Sequence, residues 1–126
     1  MGSEMCIRDS SNAQANGVDN CSFFALDAAR SLDRNFVLRR GRPDVLVVDP
    51  PRAGMHKETC RSILSLAPER IVYVSCNPTT QARDLQLLCS SYEVEKVQPV
   101  DMFPQTYHIE NVVALKRRSH VVPASL

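Results

Sequence analysis

The chain of 126 residues lacks most features that betray a function by composition alone. Its 15 Lys and Arg against 14 Asp and Glu leave a formal net charge of +1, so bulk charge gives no argument for a polyanionic partner. Local clusters (Arg39, Arg40 and Arg42; Lys116, Arg117 and Arg118) could touch phosphate or be solvated surface charge. No apolar run approaches the roughly 18 residues that would span a membrane. The five cysteines, Cys6, Cys21, Cys60, Cys76 and Cys89, are odd in number and have no paired C-x-x-C spacing. That pattern speaks against a disulfide framework and against a zinc, iron–sulfur or other metal site. There are no internal repeats or low-complexity tracts. What is there, 44% hydrophobic and 23% charged, is ordinary soluble material that can bury a core, as one small domain or part of a larger one. A reduced, cytoplasmic setting is expected.

Met1 to Ser10 contains no apolar h-region and does not read as a signal peptide. Met5 to Asp9 resembles the translation of a transposon end used in sequencing-library preparation, so residues 1–10 are expected to be a non-native leader. Ser11 to Asn20 reads as the end of a helix stopped by Gly17. Cys21 to Ala25 suits a short strand running towards Asp27, and Ala28 to Arg40 a short helix and an arginine-rich loop. Asp44 to Asp49 (DVLVVD) is the continuous aliphatic run of a strand buried on both faces, broken by Pro50, Pro51 and Gly54. Met55 to Ala67 is helical, with Cys60, Ile63, Leu64 and Ala67 on one face and Pro68 ending it. Ile71 to Val74 is a second buried strand. Tyr92 to Val100 is a third, Met102 to Ile109 a loop, Asn111 to Lys116 a last strand, and 119–126 a tail.

Between the second and third strands lies Val74-Ser75-Cys76-Asn77-Pro78, the stretch that organises the rest. Asn77 is a favoured N-cap and Pro78 a favoured first helical residue, so a helix should start beside the Cys76 sulfur, with Ala82, Leu85, Leu88 and Cys89 on its apolar face. A helix N-terminus stabilises thiolate over thiol. A small buried structural cysteine is the alternative. Strand, helix, strand, helix, strand implies parallel strands whose carboxyl ends share one edge. The loop after Asp101 is too short for another crossover, so the last strand should run antiparallel. Asp49, Cys76, Asp101, His108 and Glu110 are then expected at one edge. Cys76, His108 and Asp101 form a nominal hydrolase triad, but nothing resembles a cysteine-hydrolase signature. A redox thiol would want a resolving cysteine, and neither Cys60 nor Cys89 is placed for it.

Three ordered motifs, DPPRAG (Asp49 to Gly54), SCNPTTQARD (Ser75 to Asp84) and DMFPQTYHIE (Asp101 to Glu110), resemble those of the RNA uracil-5-methyltransferases, which make 5-methyluridine with S-adenosylmethionine. The wording of the last two is closer to the 23S rRNA branch than to the tRNA branch. RNA cytosine-5-methyltransferases would carry a cysteine inside the DPP motif, where Arg52 follows the prolines here. The resemblance implies an α/β fold, the C-terminal part of a Rossmann-like class I methyltransferase with a mostly parallel sheet and a final antiparallel strand over residues 11–118. It implies Cys76 as nucleophile on uracil C6 and Glu110 as general base. Asp49 and Asp27 would bind the cofactor; Arg52, Asn77 and His108 would contact the substrate. Asp27 could equally be a plain cap. S-adenosylmethionine and RNA are the implied cofactor and partner, with no metal and no membrane. The glycine-rich strand-turn, the ribose-binding acid and an RNA-binding module are not among these residues. A fragment, inactive alone, is therefore expected, the alternative being a non-catalytic RNA-binding or structural remnant. Intact Cys76 and Glu110 argue against decay.

Overall fold

A computed structural model describes residues 2–123; Met1 of the expected leader and residues 124–126 of the expected tail lie outside the described residues. The elements in chain order are α1 (Gly2–Ala15), α2 (Ala28–Ser31), α3 (Arg34–Arg40), β1 (Val45–Val48), α4 (Lys57–Leu66), β2 (Arg70–Ser75), α5 (Pro78–Leu88), β3 (Tyr92–Val100) and β4 (Glu110–Arg117). The sheet order is β1-β2-β4-β3. β1 and β2 pair in parallel, and β4 is antiparallel to both β2 and β3. Three strands thus share a direction and β4 reverses between two of them. That is the expected topology, with the strand ends that matter on one edge.

Helices α4 and α5 pack on one face of this sheet. Cys60 and Ile63 of α4, Leu88 of α5, Ile71 and Tyr73 of β2, Val113 and Leu115 of β4, and Tyr92 of β3 form the buried core. The register Ile71↔Leu115 and Tyr73↔Val113 sets these side chains on one side of the pleat. α4 ends where the pattern predicts, with Ala67 in the left-handed region at φ 48° ahead of Pro68. β3 is an edge strand. Its exposed Glu93, Glu95 and Lys96, the register shift between Val94 and Lys96, and Pro99 all discourage pairing with another chain.

Five details depart from the sequence expectation. The helix predicted to end near Gly17 begins at Gly2, running through the supposed leader, and stops at Ala15 with Gly17 at φ +66°. Residues 21–25 form no strand, because no neighbour offers them a ladder. Phe24 instead packs edge-on against Phe36 of α3, with Arg40 over its ring. The expected arginine-rich loop is the helix α3, whose start is secured by Asp33 accepting from the Phe36 N–H. β1 is not buried on both faces: Val45 and Val47 are 51% and 64% exposed, since α4 and α5 cover only the opposite side. Finally, Ala82 faces solvent, and the buried positions of α5 are Gln81, Asp84 and Leu88.

The core makes the fold sensitive to alkali. Burial, followed by the nearby Asp84 charge, pushes the Cys60 thiol from 9.0 to about 11. Burial takes the Tyr92 hydroxyl to about 12, and burial with the bond to Asp84 raises Tyr73 further. All three groups are held protonated in the fold above the pH at which they ionise when unfolded. Their contribution is therefore complete below about pH 9 and is lost as pH rises through the folded values. Urea midpoints measured from pH 8 upward should fall, each group adding a slope of up to about 1.4 kcal/mol per pH unit. Cys60→Ala should flatten the first part of that fall; a midpoint flat to pH 11 would contradict it.

Among the described residues no helix is long and apolar enough to cross a membrane, and no group of three His, Cys, Asp or Glu side chains is gathered to hold a metal ion.

Candidate active site

β2 ends at Ser75 and α5 starts at Pro78, so Cys76 occupies the turn between them. Local hydrogen bonds determine that turn. The Ser75 hydroxyl donates to the Asn77 carbonyl and accepts from the Asn77 N–H, both at 2.9 Å. Asn77 is the N-cap, its Oδ1 accepting from the Thr79 N–H at 3.1 Å. Its Nδ2 donates to the Arg52 carbonyl at 3.2 Å, as does the Thr80 hydroxyl at 3.0 Å. The carboxamide of Asn77 is therefore engaged at both ends inside the protein: it ties the loop after β1 to the cysteine turn.

Cys76, half-buried, opens into a cavity of about 320 Å³ lined by Arg52, Phe103, Thr106, His108, Ile109 and Glu110. Four residues predicted from sequence, Cys76, Glu110, Arg52 and His108, therefore meet. The sheet brings them together. Ser75 pairs with Asn111, so Cys76 and Glu110 each lie one residue from the same rung on adjacent strands. Arg52 Nη1 lies 3.4 Å from His108 Nδ1 across the cavity mouth. The 102–109 loop folds on itself through Thr106, whose hydroxyl donates to the Phe103 carbonyl at 2.7 Å and accepts from the His108 N–H at 3.3 Å. Phe103, Thr106 and Ile109 were not legible as lining residues, because an irregular loop has no periodicity to show which side chains turn inward.

All five groups expected at one edge stand at it, but two of them do not line the Cys76 cavity. Asp49 lines a second cavity of about 290 Å³, with Ala28, Val48, Pro50, Pro51, Gly54, Met55, His56 and Thr59. The loop from Pro50 to Gly54 stands between the two cavities, giving Arg52 to one and its prolines to the other. Asp101 lines neither cavity; β4 separates its strand from β2, about two 4.8 Å strand spacings away. Asp27 caps α2, accepting from the Ala29 N–H at 3.0 Å, and its neighbour Ala28 forms part of the Asp49 cavity wall.

Sequence patterning missed the groups that hold the loop in place. Asp84, fully buried, accepts from the Tyr73 hydroxyl at 2.6 Å and the Met55 N–H at 2.8 Å through Oδ2, and from Arg83 through Oδ1. Arg83 Nη2 also donates to the Ala53 carbonyl at 2.8 Å. Gly54 is required there: at φ +80° a Cβ would stand 2.7 Å from both Arg83 Nη2 and Asp84 Oδ2. The available signal was the polar pair Gln81 and Asp84, three positions apart and in line with Leu88 on the helix. Asp84→Ala should destabilise the fold by about 3 kcal/mol, because it strands the buried Tyr73 hydroxyl and the Met55 amide. Chemical denaturation measures this; a loss below about 1 kcal/mol would contradict the carboxylate's role in the core.

The family model described as tRNA (uracil-5-)-methyltransferase matches residues 10–118. An uncharacterized RNA methyltransferase of Bacteroides thetaiotaomicron is 57% identical over 107 residues, covering 85% of this chain and 24% of that protein. The crystal structure of the Pyrococcus abyssi tRNA (uracil-54, C5)-methyltransferase in complex with S-adenosyl-L-homocysteine superposes with a TM-score of 0.74 at 35% identity, over 87% of this chain and 26% of the other. An rRNA methylase of Streptococcus thermophilus shares the fold at a TM-score of 0.57 and 11% identity, over 86% of this chain and 64% of its own. The chain spans about a quarter of the length of the curated relatives it matches.

Proposed function

Because the chain belongs to the tRNA (uracil-5-)-methyltransferase family, we propose that it carries the nucleophile and the general base of an enzyme that methylates C5 of a uridine in RNA. The observation that carries the reading is that Cys76 and Glu110 share one cavity with the cationic Arg52 and with His108. Carbon 5 of uracil is a poor nucleophile until something adds to its neighbour. The Cys76 thiolate adds to C6, and the C5=C6 electron pair moves into the C4 carbonyl, so that C5 becomes an enolate carbon. Arg52 and His108 supply N–H donors at the cavity wall for a uracil oxygen or a phosphate. Once C5 bears the methyl group, the Glu110 carboxylate removes the C5 proton. The C5=C6 bond then re-forms, the C6–S bond breaks, and the thiolate leaves.

S-adenosylmethionine, when bound, supplies an electrophilic methyl group on a sulfonium. The Asp49 cavity fits part of such a molecule. Val48, Pro50 and Met55 are apolar, and Asp49 is an anion that would face the sulfonium charge, on the loop that also gives Arg52 to the Cys76 cavity. Asp49 and, through Ala28, Asp27 are proposed to hold it. Asn77 acts on the substrate through Arg52, whose loop it ties down.

The RNA is proposed to be ribosomal, on the wording of SCNPTTQARD and DMFPQTYHIE. The test is a methyl-transfer assay with labelled S-adenosylmethionine, using a polypeptide of the relatives' full length that carries these residues. Label should appear at C5 of a uridine in 23S rRNA. Label in tRNA alone would overturn the ribosomal assignment, and no label in either RNA would overturn the methyltransferase reading.

A further inference from the structure

We propose that Gln81 is a positioning residue: it holds the strand that bears Glu110 against the turn that bears Cys76, and it acts on release of the product rather than on formation of the adduct. The proposal rests on the methyl-transfer reading above. Gln81 lies on the buried face of α5 and is 1% exposed, a place where the packing of a helix on a sheet asks only for an apolar side chain. Burying a carboxamide there is unfavourable unless every polar atom is matched. Here the matches all fall on the two strands that carry the site. Nε2 donates to the Tyr73 carbonyl on β2 at 3.0 Å and to the Asn111 carbonyl on β4 at 3.2 Å. Oε1 accepts from Asn111 Nδ2 at 2.7 Å. One side chain thus spans helix, nucleophile strand and base strand, and grips both the backbone and the side chain of the residue after Glu110.

The two reacting groups depend on this grip unequally. The Cys76 turn is closed by its own bonds, from Ser75, Asn77 and Thr79, none of which involves Gln81. Glu110 is the first residue of β4, with the irregular 102–109 loop before it and the Gln81–Asn111 contact after it. Loss of the contact should leave the nucleophile in place and loosen the base. Addition to C6 and methyl transfer would then proceed, while removal of the C5 proton slows.

The experiment is single-turnover kinetics in a polypeptide of the relatives' full length, following the covalent protein–RNA adduct on denaturing gels and the released 5-methyluridine by mass spectrometry. Gln81→Leu should form the adduct at the unsubstituted rate and release product roughly tenfold more slowly. Gln81→Leu combined with Asn111→Leu removes both side-chain amides together, so that no Asn111 amide is left unpaired; it should recover part of the thermal stability without recovering release. Release at the unsubstituted rate in Gln81→Leu would overturn the proposal. So would adduct and product falling together with the unfolded fraction, or recovery of release in the double variant, since each marks a merely structural amide. No adduct from the unsubstituted protein would overturn the underlying reading itself, an outcome that the variants cannot mimic.

Discussion

In a polypeptide of the relatives' full length, Cys76→Ala should abolish the proposed methyl transfer, by about 10⁴-fold or more, and should remove every covalent adduct with RNA that carries 5-fluorouridine. The fluorine makes the test sharp. After addition and methylation, C5 of the analogue carries no proton for a base to take, so an unsubstituted enzyme stalls with its sulfur bonded to C6. The adduct survives denaturation and carries the transferred methyl group. Without the thiolate nothing adds to C6, and C5 remains the unreactive carbon of a conjugated ring. A serine should serve no better, since its hydroxyl is scarcely ionised at neutral pH. Stability should hardly change. The turn is closed by Ser75 and Asn77 rather than by the sulfur, and Cys76 is not part of the buried core. An adduct that persists in Cys76→Ala would assign the nucleophile to another residue.

The topology was legible because it follows from connection lengths. Two aliphatic runs, at Val45–Val48 and Arg70–Ser75, are separated by a helix and must lie parallel; the short 102–109 stretch cannot cross over and must return. From this alone Cys76 and Glu110 fall at one edge, and the pairing of Ser75 with Asn111 sets them side by side. What the sequence did not disclose are non-local decisions. Asp49 shares the edge, yet the Pro50–Gly54 loop rises between it and Cys76, a matter of loop path rather than of strand order. A search for an apolar stripe on α5 selects Ala82, which faces solvent. It passes over Gln81 and Asp84, whose burial is tolerable only because Tyr73, Met55 and Asn111 arrive from other elements to satisfy them. A polar residue is a poor candidate for the interior until its partners are known, and the partners lie far away in sequence.

Glu110→Gln is expected to stall the reaction one step later than Cys76→Ala. The amide keeps the size of the side chain at the first residue of β4, where it faces Val100 across the ladder and the cavity in front, but it cannot take a proton. Addition and methylation should continue, since the Cys76 turn does not depend on Glu110. The C5 proton then has no acceptor, and the methylated base stays on the enzyme. Natural RNA, which gives only a transient adduct with the unsubstituted protein, should therefore give a stable one with the variant, heavier by one methyl group. Turnover should fall by about 10² to 10⁴-fold, the range in which a positioned base contributes. The two substitutions are ordered: in Cys76→Ala with Glu110→Gln the adduct disappears and activity falls no further than in Cys76→Ala alone. If Glu110→Gln instead turned over normally, proton removal would belong to another group, and His108, in the same cavity, would be the residue to substitute next.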